Sequence, residues 1–187
     1  MAEEIALKKG KKKWYQIQAP DFISKNSLGE TTSIDPKNLM NKHLSKGLSE
    51  VTNDPKMQNA KITFAINNVI DNRCLTIVSG YELVSSYLRR AVKVGKDRID
   101  DSFITETKDK VRIRIKPFIV TKFKCNNSIK RSIRETAREI LIKEAAAYDY
   151  NQFLTEVIFH KIQSQIKERV TKVYPVTLAE IRMIVRL

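Results

Sequence analysis

The sequence predicts an α+β fold: an antiparallel β meander or small β barrel with one inserted helix, followed by C-terminal helices and a final strand. Three observations predict it. Before Cys125, apolar and polar residues mostly alternate, and a period of two marks strands with one buried face. Between Leu83 and Val92 the apolar residues instead recur at helical spacing. From Asn127 to Tyr174 helical spacing takes over, and alternation returns only near the C-terminus. Residues 1–13 then read as a basic flexible tail and 14–187 as one α+β domain. Within it the β part covers about 14–125, the helical part about 127–174 and the final strand about 179–187.

The tail ends in Lys8, Lys9, Lys11, Lys12 and Lys13, interrupted only by Gly10. A basic run of this kind is a candidate grip on a polyanion. Trp14 and Tyr15 follow, and Tyr15, Ile17 and Ala19 alternate as a short strand would. That pattern favours Trp14 as the first residue anchored in the core over a base-stacking role beside the lysines. Ala19 to Pro36, rich in Ser, Asn and Pro, reads as a surface loop. Asn38 to Val51 is ambiguous, with Leu48 to Val51 resembling a strand that enters the turn Thr52-Asn53-Asp54-Pro55. A hairpin is clearer: Ile62, Phe64 and Ile66 alternate, Asp71-Asn72 turns the chain, and Leu75, Ile77, Ser79 and Tyr81 lead back.

Leu83, Val84, Tyr87, Leu88, Ala91 and Val92 predict a helix of about three turns, with Arg89, Arg90 and Lys93 at the end where the helix dipole favours cations. Gly95 ends it. Alternation resumes through Ile99 and Phe103 to a turn at Lys108-Asp109, and then comes the stretch from Lys110 to Lys124. Its odd positions Val111, Ile113, Ile115, Ile119 and Phe123 are apolar, while Arg112, Arg114, Lys116, Lys122 and Lys124 occupy even ones. A strand there gives one face to the core and five cations to the other. A solvated edge strand guarded by lysines is the alternative reading of this stretch alone.

Asn127 or Ser128 is placed to cap a helix over Ser128–Ala147 whose stripe is Ile129, Ile133, Ala137, Ile140 and Leu141. At 100° per residue Lys130, Arg131, Arg134 and Arg138 fall in one arc beside that stripe. The helix directly follows the basic strand, so its cations and the strand's are expected to form one continuous face. After a break at Ala145–Asp149, Leu154, Ile158, Ile162, Ile166, Val170 and Val173 extend a helical stripe that is long enough to bend near His160-Lys161. Pro175 stops it, and Ile181, Met183, Val185 and Leu187 alternate as the last strand.

Charge narrows the function. The chain carries 35 basic and 21 acidic residues, net +14. Between Lys110 and Arg138 ten basic residues face one acidic, Glu135. A charge kept for solubility would be interspersed with acids, so this concentration points to a polyanionic partner. No apolar run is long enough for a membrane-spanning helix, and no signal-peptide core is present, so a cytoplasmic chain without membrane contact is expected. Cys74 and Cys125 lack metal-ligand spacing and read as reduced thiols. His43 and His160 have no partner for metal or nucleophilic chemistry, and neither phosphate-binding glycine motif occurs. Neither an enzyme, a cofactor nor a small-molecule substrate is expected. The basic strand also lacks the aromatics of an RNA-recognition motif, which suits backbone and shape recognition. A basic protein–protein scaffold is the alternative.

A set of short motifs, in order along nearly the whole chain, resembles a known family. They are K-K-W-Y-Q-I-Q-A-P (Lys12 to Pro20), G-E-T (Gly29 to Thr31), D-P (Asp35-Pro36), R-I-D-D-S-F (Arg98 to Phe103), T-K-D (Thr107 to Asp109), R-I-R-I-K-P (Arg112 to Pro117), N-S-I-K-R-S-I-R (Asn127 to Arg134), and V-Y-P followed by E-I-R (Glu180 to Arg182). They are similar to the small-subunit ribosomal protein S-one-e family, also called S-three-A-e, of archaea and eukaryotes, and the short C-terminus is most like archaeal members. One departure is Lys110, where a glycine region often follows T-K-D. The resemblance implies a structural, rRNA-binding protein of the small-subunit platform, near the mRNA exit, beside other platform proteins. The residues expected to hold RNA are Lys8, Lys9, Lys11, Lys12, Lys13, Arg112, Arg114, Lys116, Lys122, Lys124, Lys130, Arg131, Arg134 and Arg138.

Overall fold

The computed structural model describes residues 11–23 and 27–187. In chain order the elements are β1 (Lys13–Gln18), β2 (Ser27–Ser33), β3 (His43–Gly47), α1 (Leu48–Thr52), β4 (Ala60–Ile70), β5 (Arg73–Leu83), α2 (Ser85–Ala91), β6 (Arg98–Asp100), β7 (Phe103–Glu106), β8 (Arg112–Thr121), α3 (Asn127–Ala147), α4 (Tyr150–Ile158), α5 (Lys161–Val173) and β9 (Val176–Arg186). This is the α+β class, with the helical block late and a strand last.

The nine strands make one sheet around the β4–β5 hairpin. Two strands share the free edge of β5. Its beginning pairs in parallel with β1, Gln16 opposite Arg73, and its end pairs antiparallel with β9, Tyr81 opposite Ile184. β9 in turn carries β8, whose far edge takes β6 and β7. Among the described residues no pairing joins β2, β3, β6 or β7 to one another, so the sheet is open.

Helices α3, α4 and α5 form a layer on one face. Tyr150 Oη donates to the Val78 carbonyl at 3.1 Å, and the Arg186 guanidinium lies 5.5 Å from the centre of the Tyr150 ring. Arg186 is opposite Ile113 in the sheet, and directly paired side chains share a face. The helices therefore cover the face of Ile113 and Ile115, both fully buried. The α3 stripe works as its spacing predicts, with Ile133, Ala137, Ile140 and Leu141 buried. The bend anticipated near His160 is a break, because His160 adopts φ +58° between α4 and α5.

Several expectations are corrected. The supposed loop between Ala19 and Pro36 contains β2, a polar edge strand in which only Leu28 and Ser33 are buried. Its strand character comes from pairing with β1, which alternation cannot report. Leu48–Val51 is helical in α1: Leu48 and Val51, three apart, are both buried, and Asn53 at φ +56° ends the turn. α2 is shorter than predicted because Leu83 stays in β5 opposite Ala60. In β5 the buried side chains are Cys74, Thr76 and Val78, then Tyr81 and Leu83, with the Gly80 backbone buried between them. A bulge at Ser79 shifts the phase, since Thr63 faces Gly80 while Phe64 faces Val78. A second bulge at Arg182 makes Ile181 and Ile184 the buried pair of β9 in place of an unbroken alternation. The α3 break is confined to Tyr148-Asp149, and Asn126 stands at the N-cap position in place of Asn127 or Ser128. Trp14, expected in the core, is 65% exposed, because Tyr15 and Ile17 take the inward positions of β1.

Lys110 has φ +59°. It closes the turn whose amide bonds run from Lys110 N to Thr107 O and from Thr107 N to Val111 O, a conformation that glycine adopts without cost. A second junction is made by Asp97. Its carboxylate accepts from Cys125 N at 2.9 Å and stands 3.0 Å from Lys130 Nζ, while its amide and carbonyl bond Thr121. These contacts tie the end of β8 to the first turn of α3. The Cys125 amide and then the Lys130 ammonium hold the Asp97 carboxyl below its ordinary 3.8.

Two outcomes follow for stability. Phe153→Ala, at a fully buried side chain, should cost about 3–5 kcal/mol in denaturant unfolding. Because the folded-state pKa of Asp97 is depressed, its stabilisation is complete above the unfolded value and is lost as pH falls through the folded one. Asp97→Asn should therefore be less stable than the parent at pH 7, and the gap should shrink once pH drops below about 4; denaturation midpoints at pH 7 and pH 3 measure it.

Candidate nucleic-acid interface

β8 projects Arg112, Arg114 and Lys116 from the face opposite Ile113 and Ile115, away from the helical layer. Arg112 is exposed and donates through Nε to Glu106 at 3.1 Å. Arg114 is exposed between Ile104 and Val185 on the flanking strands, and Lys116, opposite Met183, is half-buried. Lys122 and Lys124 do not continue this face. β8 ends at Thr121, whose buried hydroxyl donates to Phe123 O at 2.7 Å and bends the chain. Phe123, expected in the core, is 57% exposed, with Lys122 Nζ 5.5 Å from its ring centre.

On α3 the four cations of the arc do different work. Lys130 is engaged by Asp97. Arg138 makes a forked pair with Asp101, Nη2 to Oδ1 at 2.8 Å and Nε to Oδ2 at 3.0 Å, and its guanidinium covers the Phe103 ring at 5.4 Å. It joins the helix to the strap between β6 and β7. Arg131 pairs with Glu135 one turn on, at 2.9 Å and in solvent, a contact worth little. Arg134 is exposed and has no carboxylate within 4.0 Å among the described residues. Since Phe103 is opposite Ile115, α3 lies on the sheet face that Arg114 leaves. The single continuous face expected from sequence is therefore two surfaces, one on each side of the sheet.

The structure does assemble a cationic group that sequence reading divided. Lys96 Nζ donates to Thr177 Oγ1 at 3.1 Å, Lys122 N to Pro175 O at 3.0 Å, and Tyr174 Oη to Lys124 O at 3.1 Å. With the Asp97 contacts, these bonds place Lys96, Lys122, Lys124 and Lys130 on the segments that meet where β8 ends, α3 starts and β9 begins, and Lys122 covers the exposed Phe123. Lys96 was missed because the run Arg89–Lys96, four cations without an acid, resembles a helix end and the loop after it.

Lys11 and Lys12 are exposed just before β1 and Lys13 is exposed at its first position; Lys8 and Lys9 lie outside the described residues. Cys74 and Cys125 are free thiols. His43 is exposed with Nδ1 3.3 Å from Ser79 Oγ. His160 Nδ1 lies 3.4 Å from Oε2 of the buried Glu180, which raises the imidazole pKa against a smaller desolvation effect. This pair stands at the α4–α5 break, where it links the helices to β9.

A model of the Ribosomal S3Ae family matches residues 6–187. The chain belongs to that family. Curated relatives agree: small ribosomal subunit protein eS1 of Desulfurococcus amylolyticus is 31% identical over 91% of this chain and 80% of its own length. The eS1 proteins of Methanothrix thermoacetophila (32%, over 91% and 81%) and Archaeoglobus fulgidus (31%, over 92% and 83%) are similar. Family membership gives the chain a structural role in the ribosome rather than a catalytic one, in line with the missing catalytic motifs.

The two classes of α3 arginine should separate in a stability assay. Arg138→Ala should lower unfolding free energy by about 1 kcal/mol, whereas Arg134→Ala should stay within about 0.5 kcal/mol of the parent.

Proposed function

We propose that the chain is an rRNA-binding protein of the small-subunit platform near the mRNA exit, held on the ribosome in the cytoplasm by rRNA and by neighbouring platform proteins. The observation that carries this reading is the distribution of charge on a member of a ribosomal family. Exposed cations without carboxylate partners occur on both sides of the sheet, as they would on a protein wedged between RNA segments. Arg114 and Lys116 hold phosphates on the open sheet face. Lys122 and Lys124 do so at the end where β8 meets α3, with Lys96 beside them, and Arg134 acts from the helix. Lys8, Lys9, Lys11, Lys12 and Lys13 form a further grip. Arg112 and Arg131 exchange weak surface pairs for phosphate at little cost. Lys130 and Arg138 act first as struts that set the shape of the surface.

Phosphate contacts release counterions, so affinity falls with salt in proportion to the number neutralised. Replacing Arg114, Lys122, Lys124 and Arg134 together by Ala should reduce the slope of log K against log[salt] by about 3 for small-subunit rRNA. The same variant should leave small subunits during a moderate salt wash that retains the parent. An unchanged slope would show that these four residues do not touch RNA.

A further inference from the structure

We propose that the sheet face around Trp14 is a stacking site for an unpaired base of a single-stranded RNA segment; the inference rests on the RNA-binding reading and adds a second mode of contact to it. Trp14, Gln16 and Gln18 are the outward residues of β1, since Tyr15 and Ile17 are buried. Register extends the face across the sheet. Gln16 is opposite Arg73 and Gln18 opposite Leu75 on β5, and Arg73 is opposite Ile70 on β4. These six residues line one concavity of about 740 Å³, within the ~300–1,000 Å³ typical of sites that hold small organic groups.

Three large apolar side chains are exposed there, Trp14 at 65%, Ile70 at 52% and Leu75 at 41%. Single exposed apolar residues are ordinary, but three converging on one concave sheet face mark a contact surface. The surrounding charge identifies the occupant. Lys11 and Lys12 lead into β1 just before Trp14, and Arg73 sits in the floor, whereas Lys13 takes the phase of Tyr15 on the other side of the strand; among the described residues none of Lys11, Lys12 and Arg73 has a carboxylate within 4.0 Å. Cations beside an exposed aromatic are what a nucleotide needs, phosphate on one side and a π-face on the other. The amides of Gln16 and Gln18 offer donors and acceptors to a base edge. Glu30 and Asp71 also line the concavity; they repel phosphate and accept from base N–H groups, so the RNA backbone runs along the lysine side. A duplex hides its base faces, which restricts the site to an unpaired nucleotide.

Trp14 is the only tryptophan of the chain, so its fluorescence reports on this site alone. The full chain is titrated with a single-stranded oligoribonucleotide and, separately, with a fully paired RNA duplex at the same salt. The expected result is saturable quenching by the single strand and little by the duplex. In anisotropy measurements with labelled RNA, Trp14→Leu, which keeps apolar area without an aromatic face, should bind the single strand about tenfold more weakly. Trp14→Phe should retain most of the affinity, and duplex binding should be unchanged in both variants. Single-strand binding without quenching, or Trp14→Leu binding as tightly as the parent, would overturn the stacking site and leave the phosphate contacts standing. Failure of the parent to bind either RNA would overturn both readings.

Discussion

The pairing of β9 with both β5 and β8 is the contact on which the sheet depends. Before β9 arrives the chain has made two separate β units, one around the β4–β5 hairpin and one in which β6 and β7 flank β8. Neither touches the other through backbone hydrogen bonds among the described residues until the last strand joins them. The link to β5 is only three residues wide, from Gly80 to Glu82, whereas that to β8 runs from Ile113 to Thr121. The strand returns from the far end of the helical block, so α3, α4 and α5 are trapped against the face that β8 and β9 share. Burial of Ile113, Ile115 and Ile184, all fully covered, is what this return accomplishes. At Gly80 the approach is tight enough that a Cβ would stand 3.2 Å from the Ile184 carbonyl.

That arrangement decides what each cation can do. A strand with helices on one face must send its alternate side chains out of the other, so β8 and α3 cannot pool their charge. Acids then sort the rest. Asp97 and Asp101 draw Lys130 and Arg138 into junctions that join β8 and the β6–β7 strap to the helix. Arg112 and Arg131 keep weak surface pairs with Glu106 and Glu135, while Arg114, Lys122, Lys124 and Arg134 have no carboxylate within 4.0 Å among the described residues and keep their full charge facing solvent. The sheet face that no helix covers becomes available at two places: beside Arg114 and Lys116, and around Trp14. The first suits phosphate, the second an exposed base.

Much of this was legible in the chain itself wherever one residue's fate is set by its near neighbours. The hairpin turn at Asp71-Asn72, the α3 stripe and the alternation from Arg112 to Ile115 all follow from local spacing. The readings that failed share a cause. β2 is a strand because β1 lies beside it. Phe123 is exposed because the buried Thr121 hydroxyl turns the chain one residue earlier than alternation would. Trp14 faces outward although aromatic residues usually bury, because Tyr15 and Ile17 already occupy the inward phase of a short strand. The bulges at Ser79 and Arg182 reset the phase of β5 and β9 and leave no mark on composition.

The sequence by itself determined the fold class and the family, because periodicity and motif order are properties of the chain that survive any arrangement of its elements. The tertiary structure alone decided which cations are struts and which are free, that strand and helix present two surfaces and not one, and that Lys96 belongs with Lys122 and Lys124. The physical reason is that an ion pair or a shared face is set by distances of a few ångströms between residues tens of positions apart, and only the strand pairings and the Asp97, Asp101 and Thr121 contacts establish those distances.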